Sequence, residues 1–290
     1  MSDTLRRERM LEVLVDLLGL SPAALEPTAT LAEVGVDSLT FAELAAAVAE
    51  RGGPDLGAAQ VSERSTVADL LAAADAASPS AGGRPGPRPG RLQPMADLAG
   101  GRALAWWFDL VVTGREHVPT VGPAIVAMNH ESALDIPIAV IASPRPIVFM
   151  AKDELFKNAF VSWALMALGG FRVDRARFDL DAVRLALAVL ERGEVLGMYP
   201  EGTRSPGVLG PFLDGAAWLA LRLGVPIVPC AVAGTDRVRR ARLPRGVGVR
   251  VTFAEPIEVA RVGDARRRRA AAAELTARVR ASIAARLGLP

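Results

Sequence analysis

Apolar positions follow one period before residue 78 and two periods after residue 95. Leu11, Leu14, Val15 and Leu18 recur at helical spacing and predict a first helix over residues 3–19, closed by Gly19. A loop containing Pro22 and Pro27 follows. Leu39, Ala42, Leu44 and Val48 predict a second helix from Ser38 to Glu50, stopped by the run RGGPD at 51–55. A short helical turn is expected near 56–62. Ser65 or Thr66 can cap a last helix, whose apolar face is Val67, Leu70 and Leu71. The pattern predicts an α four-helix bundle with one long first loop.

Farther on, strand-like and helical stretches alternate. Residues 108–114, 124–129, 146–151, 194–200, 226–234 and 248–256 read as strands, and 169–175 as a shorter one. Helical stretches lie near 133–142, 153–168, 178–193 and 212–223, and a terminal helix spans 264–287 with Leu275, Val279, Ile283 and Leu287 at steps of four. Such alternation predicts an α/β domain, a mixed sheet flanked by helices. Between the halves the chain reads SPSAGGRPGPRPGRLQP, where Pro, Gly and Arg leave no apolar surface to bury. The expected division is residues 1–77, a flexible linker over 78–95, and a second domain over 96–290.

Charge separates the halves as well. Residues 1–78 hold 13 Asp and Glu against 5 Arg, a balance of −8; the remainder holds 29 Lys and Arg against 19 acids, a balance of +10. The basic half can attract an anionic ligand or surface, or its own acidic partner. Cys230 is the single cysteine, so an internal disulfide and a multi-cysteine metal site are excluded, and no metal is expected. One Tyr and few other aromatics offer no stacking platform for nucleic acid. No secretory signal and no membrane-spanning run are expected, which predicts a cytoplasmic protein, peripheral on the inner face of a membrane.

Two stretches carry chemistry. In EVGVDSLTFAEL, at 33–44, Ser38 stands where a loop becomes a helix. Asp37 and Ser38 are favoured there for capping alone. With the small acidic bundle around it, the stretch resembles an acyl carrier protein over about residues 3–77. That resemblance implies that Ser38 carries a covalent 4′-phosphopantetheine, attached by a phosphopantetheinyl transferase and charged by an acyl-loading enzyme. The following helix departs from the family in being Ala-rich, with few acids after Glu43.

The other stretch is AMNHESALDIP, with His130 and Asp135 five residues apart after an apolar strand. One turn can bring that carboxylate to the imidazole and make it a general base; a backbone-satisfied His beside a helix-capping Asp is the plainer reading. GGFRVDR at 169–175, YPEGTRS at 199–205 and VPIVP at 225–229 follow in order. Together the four blocks resemble the glycerolipid acyltransferase family that includes lysophosphatidic acid acyltransferases, over about residues 96–260. The resemblance implies His130 as base and Asp135 as its orienting partner. It places Arg175, Glu201, Gly202, Thr203 and Arg204 at a phosphorylated acceptor, with Lys152 as a further anion contact. Arg172 departs from an often apolar family position and is either an extra acceptor contact or a surface residue.

The expected function is transfer of a fatty acyl group from a phosphopantetheine thioester on the chain's own carrier domain to a hydroxyl of a lysophosphatidic acid-like or other lipid acceptor. Two alternatives stand beside it. The donor could be acyl-coenzyme A or a separate carrier, or the chain could be a non-catalytic carrier with a membrane-surface binding domain. The run RRRR at 266–269 reads as a solvated helix start or an anionic-lipid contact, and Trp106 and Trp107 as packing or as a membrane-surface contact.

Overall fold

The computed structural model describes residues 3–21, 25–50, 54–56, 61–76, 99–152, 162, 166, 169–173, 179–240 and 248–289. The chain divides into two compact units, residues 1–85 with 173–185, and residues 86–172 with 186–290. The expected linker, all but residues 162 and 166 of the expected helix over 153–168, and most of the short turn near 56–62 lie outside the described residues.

In the first unit, α1 (Asp3–Leu18), α2 (Ser38–Glu50) and α3 (Val67–Ala76) pack together. Their buried faces are Met10, Val13 and Leu14 on α1, Phe41, Leu44 and Val48 on α2, and Val67, Leu70 and Ala74 on α3. The α1 face is therefore rotated from the expected stripe: Leu14 is fully buried, while Leu11, Val15 and Leu18 are only half-buried. Small Ala side chains let α2 sink deeply, with residues 40–45 all buried. The long loop before α2 is pinned by Leu31 N–H to Ser65 O (2.8 Å) and Ala32 N–H to Glu63 O (3.0 Å). Of the two candidate caps for α3, Thr66 is the one used. Its N–H donates to Asp69 Oδ2 and its hydroxyl accepts from Asp69 N–H, the reciprocal box that satisfies two orphan donors.

Beyond the first three helices the elements run α4 (Ala99–Phe108), β1 (Val111–Thr113), β2 (Ala124–Met128), α5 (Asp135–Ala142), β3 (Ile147–Lys152), β4 (Gly170–Val173), α6 (Leu180–Glu191), β5 (Val195–Met198), α7 (Gly215–Leu223), β6 (Ile227–Ala233), α8 (Thr235–Arg240), β7 (Arg250–Phe253) and α9 (Ala265–Leu287). The described strands form one mixed sheet in the order β1-β7-β6-β2-β5-β3-β4. The β6–β7 pair is antiparallel, while β1–β7, β2–β6, β2–β5 and β3–β5 are parallel.

Strand β2 lies near the centre and all five of its residues are buried, which is why it reads as an unbroken apolar run. Its register sets Val126 opposite Gly197 on one side and Val228 on the other. Gly197 is needed there: a Cβ would stand 2.5 Å from the Phe149 ring on β3. Because β2, β5 and β6 run parallel, the loops leaving their C-terminal ends, at residues 129, 199 and 234, open along one edge of the sheet. The terminal helix matches its expected bounds within a residue and buries Leu275, Val279 and Ile283.

Candidate active site

Ser38 is the first residue of α2 and is exposed. Capping is done by its neighbour. Asp37 Oδ1 accepts from the Thr40 N–H and from the Thr40 hydroxyl, each at 2.7 Å, and Phe41 N–H donates to Asp37 O at 2.9 Å. Buried Phe41 and Leu44 fix which way the helix faces. The Ser38 hydroxyl thus stays in solvent at the positive end of the helix, where a phosphodiester is electrostatically favoured.

His130 follows β2, and Asp135 opens α5. His130 Nδ1 and Asp135 Oδ2 are 2.7 Å apart. With Asp135 ionised, Nδ1–H is the donor and Nε2 keeps its lone pair. Asp135 is fully buried and well satisfied: Oδ2 also accepts from Glu131 N–H (2.8 Å) and Ser132 N–H (2.9 Å), and Oδ1 from the Thr235 hydroxyl. Four donors on one carboxylate hold it in one orientation. Just before His130, Asn129 exchanges two 2.7 Å bonds with the backbone of Val232, tying the end of β2 to β6.

The loop after β5 fastens to the same histidine. His130 N–H donates to Glu201 Oε1 at 2.7 Å, and Ser205 N–H donates to His130 O at 2.7 Å. Gly202 takes φ +66°, the left-handed conformation that a glycine adopts without strain. Thr203 and Arg204 are exposed beside this anchor. Glu201, expected to line the acceptor site, has both oxygens on the backbone. It is 7% exposed, and its second oxygen is taken by Gly210 N–H at 2.9 Å. Both oxygens serve the backbone, so the carboxylate is a strut. Arg175 lies outside the described residues, as do the side chains of Arg172 and Lys152.

A family model described as Acyltransferase matches residues 109–233, and one described as Phosphopantetheine attachment site matches residues 8–74. The chain joins a phosphopantetheine attachment domain to an acyltransferase domain. Over the second of these it is 31% identical to a chloroplastic 1-acyl-sn-glycerol-3-phosphate acyltransferase of Brassica napus, across 44% of this chain and 38% of that protein. The 1-acyl-sn-glycerol-3-phosphate acyltransferase of Bacillus subtilis is 32% identical, across 42% of this chain and 62% of its own length. The chain thus spans less than two thirds of these relatives. A crystal structure of the 1-acyl-sn-glycerophosphate acyltransferase from Thermotoga maritima superposes with a TM-score of 0.50 and 28% identity, covering 65% of this chain and 78% of that one.

The acyltransferase domain contains further groups that sequence reading passed over. Tyr199 stacks on His130, ring centroids 4.2 Å apart and 24° from parallel, and is backed by Phe149 at 6.2 Å. The Tyr199 hydroxyl is buried with no hydrogen-bond partner among the described residues. Burial, then the charge of Asp135, holds this phenol well above its usual pKa, so it stays neutral. The same two causes push the Cys230 thiol up, which removes it as a nucleophile. Half-buried Glu131 receives Gly234 N–H (3.1 Å) and the Thr235 hydroxyl (3.3 Å). Its carboxyl is held above the ordinary range by burial first, then by the charges of Asp236 and Asp135. Tyr199 opens the YPEGTRS block with no role of its own assigned, and Thr235 lies outside all four blocks; the bond from Thr235 to Asp135 joins residues 100 apart.

Proposed function

We propose that the chain is an O-acyltransferase that moves a fatty acyl group from a thioester to the hydroxyl of a 1-acylglycerol-3-phosphate-like lipid, with its attachment domain as the intended donor. The observation that carries this reading is the His130–Asp135 pair, held at 2.7 Å beside the loop bearing Thr203 and Arg204. Nε2 of His130 takes the proton of the acceptor hydroxyl as its oxygen attacks the acyl carbonyl. A C–O bond forms, the C–S bond breaks, and the imidazolium returns the proton to the departing thiolate. Asp135 stabilises the imidazolium between these steps. No protein nucleophile is involved, consistent with the inert Cys230. Arg204 and Arg175 orient the acceptor phosphate, Arg through its planar fork, and Thr203 and Gly202 complete that subsite.

Ser38 suits the prosthetic group, being exposed at a helix start whose cap is supplied by another side chain. When bound there, 4′-phosphopantetheine supplies the thiol that carries an acyl group as a reactive thioester. On this reading residues 1–77 are a four-helix carrier domain, 78–95 a tether and 96–290 the transferase. A flexible tether raises the effective donor concentration to roughly the millimolar range. The lipid acceptor brings the enzyme to a membrane surface; among the described residues no helix is long and apolar enough to cross one.

The test begins with intact mass after exposure to coenzyme A and a phosphopantetheinyl transferase, beside Ser38→Ala. A pantetheine-sized addition to the wild type only, followed by acyl transfer to 1-acylglycerol-3-phosphate that His130→Ala abolishes, is the expected result. A wild-type chain that transfers no acyl group from its own loaded attachment domain, while acyl-coenzyme A serves it and Ser38→Ala equally, would move the donor outside the chain. Transfer that survives in His130→Ala would end the reading.

A further inference from the structure

The loop that fastens to His130 is also held from the far end of the chain. Its base is closed by Leu213 N–H to Pro200 O at 2.9 Å. Near its turn, Arg280 on α9 donates Nε to Gly210 O at 3.2 Å and a terminal guanidinium nitrogen to Leu209 O at 3.1 Å. Gly210 is therefore gripped on two sides, since its N–H donates to Glu201 Oε2 at 2.9 Å. The other Glu201 oxygen receives His130 N–H at 2.7 Å. A continuous series of bonds runs from Arg280 through Gly210 and Glu201 to the backbone of the base. Each intermediate is a backbone group or a buried carboxylate with little freedom to compensate.

Residue type and space both fit this role. Two successive carbonyls suit the fixed fork of Arg, whereas Lys would offer a single mobile point of contact. Space around Gly210 is closed: a Cβ there would stand 2.9 Å from Glu201 Oε2 and 3.0 Å from Ser205 Oγ. Any side chain at 210 would push on the two residues that hold His130. Arg280 lies beyond the segment matched by the Acyltransferase family model, which ends at 233.

We propose that Arg280 is a positioning residue for the acyl transfer, holding His130 in its working geometry through Gly210 and Glu201. This rests on the proposed acyltransferase reading. Displacement of a catalytic group by about 1 Å can cost up to ~10²-fold in rate. Arg280→Ala should therefore lower kcat on the order of tenfold while the KM for the thioester donor is unchanged. Arg280→Lys should fall between, and added guanidinium should restore part of the activity of Arg280→Ala but none of His130→Ala. Gly210→Ala, which leaves every charge in place, should show a similar loss.

The assay uses the full chain, with acyl-coenzyme A and with the loaded attachment domain as donors, and 1-acylglycerol-3-phosphate as acceptor. Alongside it, hydrogen exchange over residues 129–135 reads the His130 amide independently of turnover. Faster exchange there in Arg280→Ala and in Gly210→Ala is expected. Wild-type kcat and wild-type exchange in both variants, with His130→Ala inactive, would overturn the role of Arg280 alone. Activity in His130→Ala would overturn the underlying reading, whatever the exchange shows.

Discussion

Ser38 and His130 are polar residues at the edge of a secondary-structure element, and they are treated in opposite ways. Around Ser38 the helix is secured by Asp37 and Thr40, and the serine itself is left exposed. Around His130 almost everything is fastened: ring nitrogen to Asp135, backbone N–H to Glu201, backbone O to Ser205, ring face to Tyr199. A residue that another enzyme must reach and modify has to be presented. On the proposed reading His130 moves a proton, and a residue with that task has to be held.

Substitutions at the two serine and histidine positions should separate presentation from restraint most sharply. His130→Ala should cost about 10²–10⁴-fold in acyl transfer, measured with acyl-coenzyme A so that loading is not limiting. Ser38→Ala should leave that rate unchanged and abolish the mass addition, with thermal stability altered by less than about 0.5 kcal/mol.

The restraint itself is tested at Glu201. Gln can accept from one of the two N–H groups, but its own amide hydrogens would face the other. Glu201→Gln should lose about 1–3 kcal/mol in denaturant unfolding, and acyl transfer with it. An unchanged midpoint would mean that the loop is not under tension from this strut.

A smaller, pH-dependent effect belongs to Glu131. Its folded pKa is raised above the ordinary 4.5, so between that value and the raised one the folded protein binds the extra proton. Stability contributed by this group is present below pH 4.5 and is lost as pH rises through the raised folded value. Wild type should therefore weaken relative to Glu131→Gln as pH rises through that window, read as the difference between their unfolding free energies. The least effect is expected at Tyr199. Its hydroxyl makes no hydrogen bond among the described residues, so Tyr199→Phe should keep the stack on His130 and match or exceed wild-type stability by up to about 1 kcal/mol. A clear loss would show that the phenol has a partner in solution.

Much of this architecture could be read from local pattern. The strands are apolar runs bounded by turn residues, so the limits of β2, β3, β5 and β6 fall within a residue or two of the sequence reading. The approach of Asp135 to His130 was legible because one turn spans their separation. Other features depended on what packs against what. Periodicity placed a stripe on α1 but could not choose between adjacent ones; its partners selected Met10 and Val13. The run at 266–269 contains three exposed arginines and one that is buried, Arg268, which bonds Gly263 O at 3.2 Å and lies 5.9 Å from the Trp218 ring centre. Four identical letters cannot reveal which of them faces inward. Nor could local reading show that Glu201, in a motif of polar residues, has both oxygens committed to backbone.

The ties from the end of β2 to β6 and from α5 to α8 bear on when the site is completed during synthesis. Asn129 pairs with Val232 and Asp135 with Thr235, across 103 and 100 residues of chain. A nascent chain that has emerged only through β5 already contains the histidine and its carboxylate. It still lacks the strand that satisfies Asn129 and the hydroxyl that satisfies Asp135. Contacts so distant in sequence form late, after the loop-closure entropy has been overcome. On the proposed reading the site is therefore incomplete until β6 lies beside β2 and Thr235 follows it.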